Sequence, residues 1–545
     1  MKPWMRNSLF LLCGLVLAAL VAGRWLRREP FRQPRIDVGA ASASASIQAA
    51  AARVDAAFAS EWKRAGVTPT ASASDLTVAR RLSLALTGTI PSMEEIRALE
   101  QVPPTERLAW WRAHLLEDRR SSDYLAERLA RIAVGVENGP FIVYRRHRLV
   151  SWLSEQLHSN RPYDQLVREL ISAEGIWTSR PQVNFVTVTV DQNNDQEGPD
   201  EQKLAARVSR AFLGLRIDCV QCHDDFFGDR WKQRDFHQLA AFFACAEMSM
   251  TGVRDDAAKS YEYRFLGKDS KEPVVPRVPF NAGLLPADGP LRQRLAGWVT
   301  HPDNRPFART LVNRAWALLF NRPLHQPIDG IPLDGPFHPV MEILADDAVQ
   351  HGFDLQRLIR VIASTHVFRA ESRSEDAGHP VTAEQERAFA SFPLTRLRPE
   401  QVAGAILQSA NLRTLDADSA VFVRVVRYFQ QNDFVKRFGD IGEDEFNGFG
   451  GTIPQRLVMM NGELVRERTK EDLMMNAATR IGVVSPNDEV AVETAYLAVL
   501  SRRPTPAEQR HFVAALQIDS GTGRSARMED LYWTLLNSTE FSWNH

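Results

Sequence analysis

Only four cysteines occur in 545 residues, at positions 13, 219, 222 and 245. A chain this long and this poor in cysteine is not a disulfide scaffold, so its stability must come from packed cores. Excess charge of either sign is also missing: 66 basic and 67 acidic residues leave a formal net charge of -1. That balance gives no electrostatic footprint for nucleic acid, and none is expected as a partner. No HExxH, no GxSxG and no phosphate-binding glycine loop is present. The common hydrolase and nucleotide signatures are therefore absent, and no enzyme class is assigned. No internal repeat is visible.

What the chain has is ordinary globular material, 44% hydrophobic and 24% charged. Its length exceeds one core and predicts two or three domains. One apolar run stands out, Ser8 to Gly23, which carries no charge and follows Lys2 and Arg6. Arg24, Arg27 and Arg28 follow it, where a cleavage site usually leads into less basic sequence. The expectation is an uncleaved signal or anchor segment over 1–28, making the protein single-pass in the cell membrane. Because basic residues flank both ends of the run, the positive-inside rule assigns it no orientation. Residues 29–51, rich in Ala and Ser, read as a tether.

Beyond residue 52 the pattern is mainly α. Apolar residues recur at three and four in "TERLAWWRAHLLED", "DYLAERLARIAVG" and "HRLVSWLSEQLHS". Ser92-Met93-Glu94-Glu95 has the form of a capping box. The alternation in Val183 to Val190, "VNFVTVTV", predicts a strand, and further short strands are expected near 259–279. The predicted organisation is a helical domain over 52–252, a connecting segment over 253–288 and a second helical domain over 289–545.

The informative motif is Cys219-Val220-Gln221-Cys222-His223. Two thiols at this spacing followed at once by an imidazole suit a c-type haem, with Cys219 and Cys222 as attachment points and His223 as axial ligand. Such attachment takes place outside the cytoplasm, in agreement with the N-terminal segment, and places the large domain toward the periplasm or exterior. Phe226, Phe227, Trp231, Phe236, Phe242 and Phe243 are candidates to enclose a porphyrin or, equally, ordinary core. His237, Met248 and Met250 are candidates for the sixth iron position. Zinc on Cys219, Cys222, Cys245 and either His223 or His237 is an alternative cofactor reading, and a disulfide with no cofactor is another. Asp440, Glu443, Asp444 and Glu445 in a glycine-rich stretch lack EF-hand spacing and read as a solvated loop.

Several long segments carry a resemblance. "RRLSLALTGTIPSMEEI", "RAFLGLRIDCVQCHDDFFGDRWKQRDFHQLAAFF", "LAGWVTHPDNRPFARTLVNRAWALLFNRPL" and "HPVMEILADDAVQHGFDLQRLIRVIASTHVFR" resemble the paired planctomycete domains of unknown function. The first of the pair is a cytochrome-like domain, the second a planctomycete-specific domain. The resemblance implies an exported protein in a family with no established activity. Where such domains usually read His-Asp-His-Pro-Phe, this chain has His223-Asp224-Asp225-Phe226-Phe227 and lacks the second histidine. Together the features predict electron transfer or redox partnering. The alternative is a non-redox extracytoplasmic scaffold, serving an exported or polysaccharide-processing partner.

Overall fold

The computed structural model describes residues 40–545 apart from 137–142, 191–197, 226–229, 375–379, 416–429, 432, 440–450, 474 and 519–522. All the described residues belong to one compact unit, Val38–His545. The apolar run 8–23 lies outside them, as do Asp440, Glu443, Asp444 and Glu445. Among the described residues no helix is long and apolar enough to cross a membrane.

The body is mainly helical, as expected. The first half runs through α1 (Ala40–Ala65), α2 (Asp75–Thr87), α3 (Met93–Gln101), α4 (Arg107–Glu117), α5 (Arg119–Val134), α6 (Arg146–His158), α7 (Tyr163–Ser172), α8 (Glu201–Phe212) and α9 (Gln233–Ala240). Starts and stops follow local chemistry. Ser74 accepts from the Thr77 N–H to cap α2, and Gly88, at φ 66°, ends it in the left-handed region. Ser92 and Glu95 form the expected capping box on α3. Two antiparallel pairs follow, β1 (Ala246–Ser249) with β2 (Gly252–Asp255) and β3 (Glu262–Tyr263) with β4 (Glu272–Pro273). The second pair lies where short strands were expected.

Helices then resume as α10 (Leu291–Val299), α11 (Arg305–Phe320), α12 (Pro339–Gln350), α13 (Leu355–Ile362) and α14 (Pro399–Ser409). A final group comprises α15 (Ile453–Asn461), α16 (Glu463–Thr469), α17 (Ala477–Val484), α18 (Asp488–Leu500), α19 (Pro506–Gln517) and α20 (Arg524–Leu536). The last pair of strands, β5 (Thr395–Arg396) and β6 (Trp543–Asn544), joins the middle of the chain to its far end.

Elements distant in sequence interleave. α1 packs on α12 and α13, α2 on α11, and α7 on α10. The aromatic core shows this directly, because Phe58 of α1 stacks on Trp316 of α11 at 5.7 Å and Trp316 stacks on Phe320 at 4.2 Å. α2 is enclosed on all sides, and its two arginines are buried with it. Arg80 donates to the carbonyls of Val499 and Phe541, both at 3.2 Å. Arg81 donates to the carbonyls of His545 at 2.7 Å, Phe368 at 3.1 Å and Ala370 at 2.8 Å. Carbonyls thus replace lost water at two nitrogens of Arg81 and at two of Arg80, whose Nε is buried without a hydrogen bond among the described residues.

Two expectations are corrected. Residues 40–51 are the first half of α1 and not a tether. Alanine is the strongest helix former, and Ala50, Ala51, Val54 and Phe58, spaced by three and four, give the helix a face to bury. Residues 183–190 are not a strand. Pro181–Val183 is a 3-10 turn and Asn184–Thr187 a helical turn. The alternation carried no information because both sides are covered: Val183, Phe185, Val186 and Thr187 are all fully buried. Asn184 closes the turn, its amide donating to the Trp177 and Pro181 carbonyls at 2.8 Å and its oxygen accepting from the Arg145 N–H.

Candidate functional site

α8 buries Leu204, Val208 and Phe212 on one face and delivers the chain to the cysteine motif. Gly214, at φ 64°, turns the backbone, and Ile217–Val220 forms a 3-10 turn. Val220 anchors this turn in the core while Cys219, Cys222 and His223 are directed to solvent. Both exposed thiols are free, as is the buried Cys245. The disulfide reading is therefore not the arrangement found.

Beneath the loop, one carbonyl is the point of attachment. The Gln221 oxygen, between the two cysteines, accepts from His237 Nε2–H at 3.0 Å and from the Gln233 side-chain amide at 3.1 Å. The Tyr263 hydroxyl stands at 3.5 Å from the same oxygen. Because a carbonyl can only accept, His237 carries its proton on Nε2, and Nδ1 accepts from the Tyr261 hydroxyl at 2.8 Å. The ring is fully buried and stacked on Tyr263 with centroids 3.4 Å apart. Burial pushes its pKa down to about 4, against which the Gln221 contact acts in the raising direction. With both nitrogens engaged, His237 is a brace for the loop and presents no free lone pair to an iron.

His223 is arranged differently. Its Nδ1 lies 2.7 Å from the Asp224 carbonyl, which requires Nδ1–H to donate and leaves the lone pair on Nε2. That is the tautomer a histidine ligand uses, with the second nitrogen fixed by a backbone acceptor. Asp224 also accepts from the Gln233 N–H at 2.8 Å, linking the end of the motif to α9. Lys232 is the residue before α9, and Asp235 in the first turn reaches back to accept from the Lys232 N–H at 2.8 Å.

The remaining candidates are dispersed. Met248 is half-buried on β1, and Met250 is exposed at 98% in the turn after it. Phe236, Phe242 and Phe243 are fully buried in the core, so they pack the protein and do not wall a porphyrin. Phe226 and Phe227 lie outside the described residues. Cys245 donates toward the Phe242 carbonyl, and burial first, then the Asp255 charge, pushes its thiol up to about 11. Such a thiol is inert. Cys219, Cys222, Cys245 and the two histidines are not assembled as a zinc set: among the described residues, the one group of three metal-type ligands is Glu95, His114 and Asp118.

That group was not read from the sequence. Glu95 is buried, 3.3 Å from His114 Nε2, and it pairs with Arg120, which also binds Asp118 at 2.7 Å. Burial alone raises the Glu95 pKa, but Arg120, His114 and the Ser92 N–H outweigh it and hold the carboxyl far below the usual range. The cation there is the guanidinium, so the cluster is an internal ion pair. The capping box was its one local signal.

Residues 53–248 match the family model described as PSCyt2, protein of unknown function (DUF1549). Residues 291–440 match PSD1, protein of unknown function (DUF1553). The chain belongs to the paired planctomycete domains of unknown function. No curated protein and no solved structure matches it. In the paired-domain protein the cysteine loop belongs to the PSCyt2 part, and the PSD1 part reaches it. Asp329 binds Arg216 at 2.6 Å and Arg210 at 3.3 Å, Arg210 also holds Asp218, and Arg230 binds Asp334 at 2.8 Å. Cys219 lies within electrostatic reach of that Arg210 guanidinium.

The brace has a pH consequence. Folded His237 stays neutral down to about pH 4, whereas a free histidine takes its proton near 6.5. Between those values the unfolded chain binds more protons, so stability falls as pH falls through this window, by up to about 3 kcal/mol. Melting temperature measured from pH 7.5 to 4.5 is expected to decline more steeply for the native chain than for His237→Gln. Parallel declines would remove the histidine as the cause.

Proposed function

We propose that Cys219, Cys222 and His223 attach a c-type haem, and that the protein acts in electron transfer or as a redox partner outside the cytoplasm. It would be held at the membrane by the segment containing residues 8–23. The observation that carries this reading is the His223 tautomer: Nδ1–H is committed to the Asp224 carbonyl, leaving Nε2 as a ligand nitrogen beside two free, exposed thiols. The residues present fit the group at its attachment points. Cys219 and Cys222 would hold it through thioethers and His223 through Nε2. When bound, a haem supplies one-electron chemistry. The chain's part is to hold the turn, orient His223 and keep the loop on its braced floor. His237 would not be the sixth ligand, and Met248 remains the nearer candidate in sequence.

A second reading has its own support. Phe236, Phe242 and Phe243 are spent on the core, which favours a non-redox binding or scaffold protein whose exposed dithiol serves another ligand.

The test is a pyridine haemochrome spectrum on the full chain, exported by a host that matures c-type cytochromes. A c-type band is expected in the washed membrane fraction and is expected to vanish in Cys219→Ser, Cys222→Ser. A native protein with no band and two reactive thiols sinks the haem reading and leaves the scaffold.

A further inference from the structure

We propose that His237 and Gln233 are positioning residues that hold the backbone between Cys219 and Cys222, so that the two thiols can close on one thiophilic centre. This rests on the reading of the loop as an attachment site and adds the residues that shape it. Short loops with exposed ends ordinarily sample many conformations, and the backbone must be held before two thiols can meet one acceptor. Here the fixed point is the Gln221 carbonyl, directly before Cys222. An sp2 oxygen has two lone pairs. His237 Nε2–H and the Gln233 amide supply two donors, at 3.0 and 3.1 Å.

Neither donor is free to wander. His237 is locked by Tyr261 on Nδ1 and by the Tyr263 ring over its face. The Gln233 oxygen accepts from the Leu266 N–H at 3.1 Å, so its amide nitrogen is aimed at the loop. Gln221 is tied at its other end as well, its own side-chain amide donating to Gln202 of α8. The turn is thus fastened to two helices and approached by Tyr263 of β3, while the three candidate ligand side chains carry none of that fastening except the His223 bond to Asp224. A backbone held by its neighbours, with two thiols left free above it, is the division expected of a loop that a thiophilic ligand completes.

The probe is phenylarsine oxide, a trivalent arsenical that bridges two thiols with loss of water, As–O exchanging for two As–S bonds while the thiol protons leave with the oxygen. Capture by the reduced full chain is followed by intact mass and by competition with a small dithiol. Iodoacetamide, which needs only one thiol, reports accessibility. The native chain is expected to take up one arsenical on Cys219 and Cys222, with capture lost in Cys219→Ser. Gln233→Glu keeps the acceptor for Leu266 but cannot donate, and His237→Phe keeps the ring but cannot donate. Each is expected to weaken capture about five- to tenfold, the worth of one hydrogen bond, with alkylation unchanged. His237→Gln, which restores an amide donor, is expected to recover most of the loss. If His237→Phe does not fold, Gln233→Glu and His237→Gln still decide the matter. Capture as tight in Gln233→Glu as in the native chain overturns the proposal, as does a native chain that alkylates twice and never bridges. The haemochrome result is read separately, so a dithiol positioned as described but carrying no haem distinguishes the two claims.

Discussion

Glu95→Leu is expected to lower the stability of the folded protein by about 4 kcal/mol, and Glu95→Leu with Arg120→Met to regain most of it. The argument turns on what is left behind. Glu95 and Arg120 are both buried, and Arg120 keeps only Asp118 once Glu95 is gone. A guanidinium stripped of water and of its main counterion is far more costly than a buried methionine of similar length. Part of the loss, about 1 kcal/mol, belongs to the capping box, because Glu95 also accepts from the Ser92 N–H at 2.8 Å. Glu95→Gln separates the two contributions, since an amide oxygen still caps α3 while the charge is removed. Urea denaturation midpoints for the four proteins measure the order directly. A double variant no better than Glu95→Leu would show that the ion pair itself, and not the orphaned arginine, carries the energy.

Gly404→Ala is expected to destabilise by about 3 kcal/mol or more, an unusually large effect for one methyl group. Gly404 lies inside α14, and a Cβ there would overlap the Gly88 carbonyl oxygen and press within 3.3 Å of the Thr89 Cβ. The obstruction is backbone, which cannot swing aside. Gly88 itself is pinned, because it occupies the left-handed region at the end of α2 and faces the Tyr124 ring. Tyr124 in turn accepts from Arg398, which holds Glu400. The control is Gly283→Ala, where nothing lies within 4 Å of the new Cβ and the backbone angle is ordinary. Thermal melting of both variants reads the contrast, and equal melting temperatures would refute the close contact.

The helices of this chain were legible because their apolar residues recur at three and four and their caps are written locally, as with Ser92 and Glu95. The cysteine motif was legible because five consecutive residues carry it. Burial on more than one side is what hid the rest. Residues 183–190 alternate, yet every position is covered, so the period reported composition and not a strand. Residues 40–51 are poor in large apolar side chains, and the presence of α12 and α13 gives the small ones a surface to pack on. His237 was singled out as a sixth-ligand candidate, but both its nitrogens are spent on Tyr261 and Gln221, 24 and 16 residues away, and no spacing rule joins them. The Glu95 cluster spans three helix ends and left no trace beyond its cap.

Arg80 and Arg81 carry a consequence for the order of events in folding. Their five carbonyl partners lie 287, 289, 419, 461 and 464 residues further along the chain. A ribosome delivers the first half long before those carbonyls exist in space, so α2 cannot reach its final enclosure until residues 541 and 545 arrive. Closing such distant contacts is slow, and two unmated guanidiniums keep the nascent first half hydrated and open in the interval. The first half therefore reaches its native enclosure only after residues 541 and 545 have been made, and the cysteine loop built on it waits for a foundation laid more than 300 residues later.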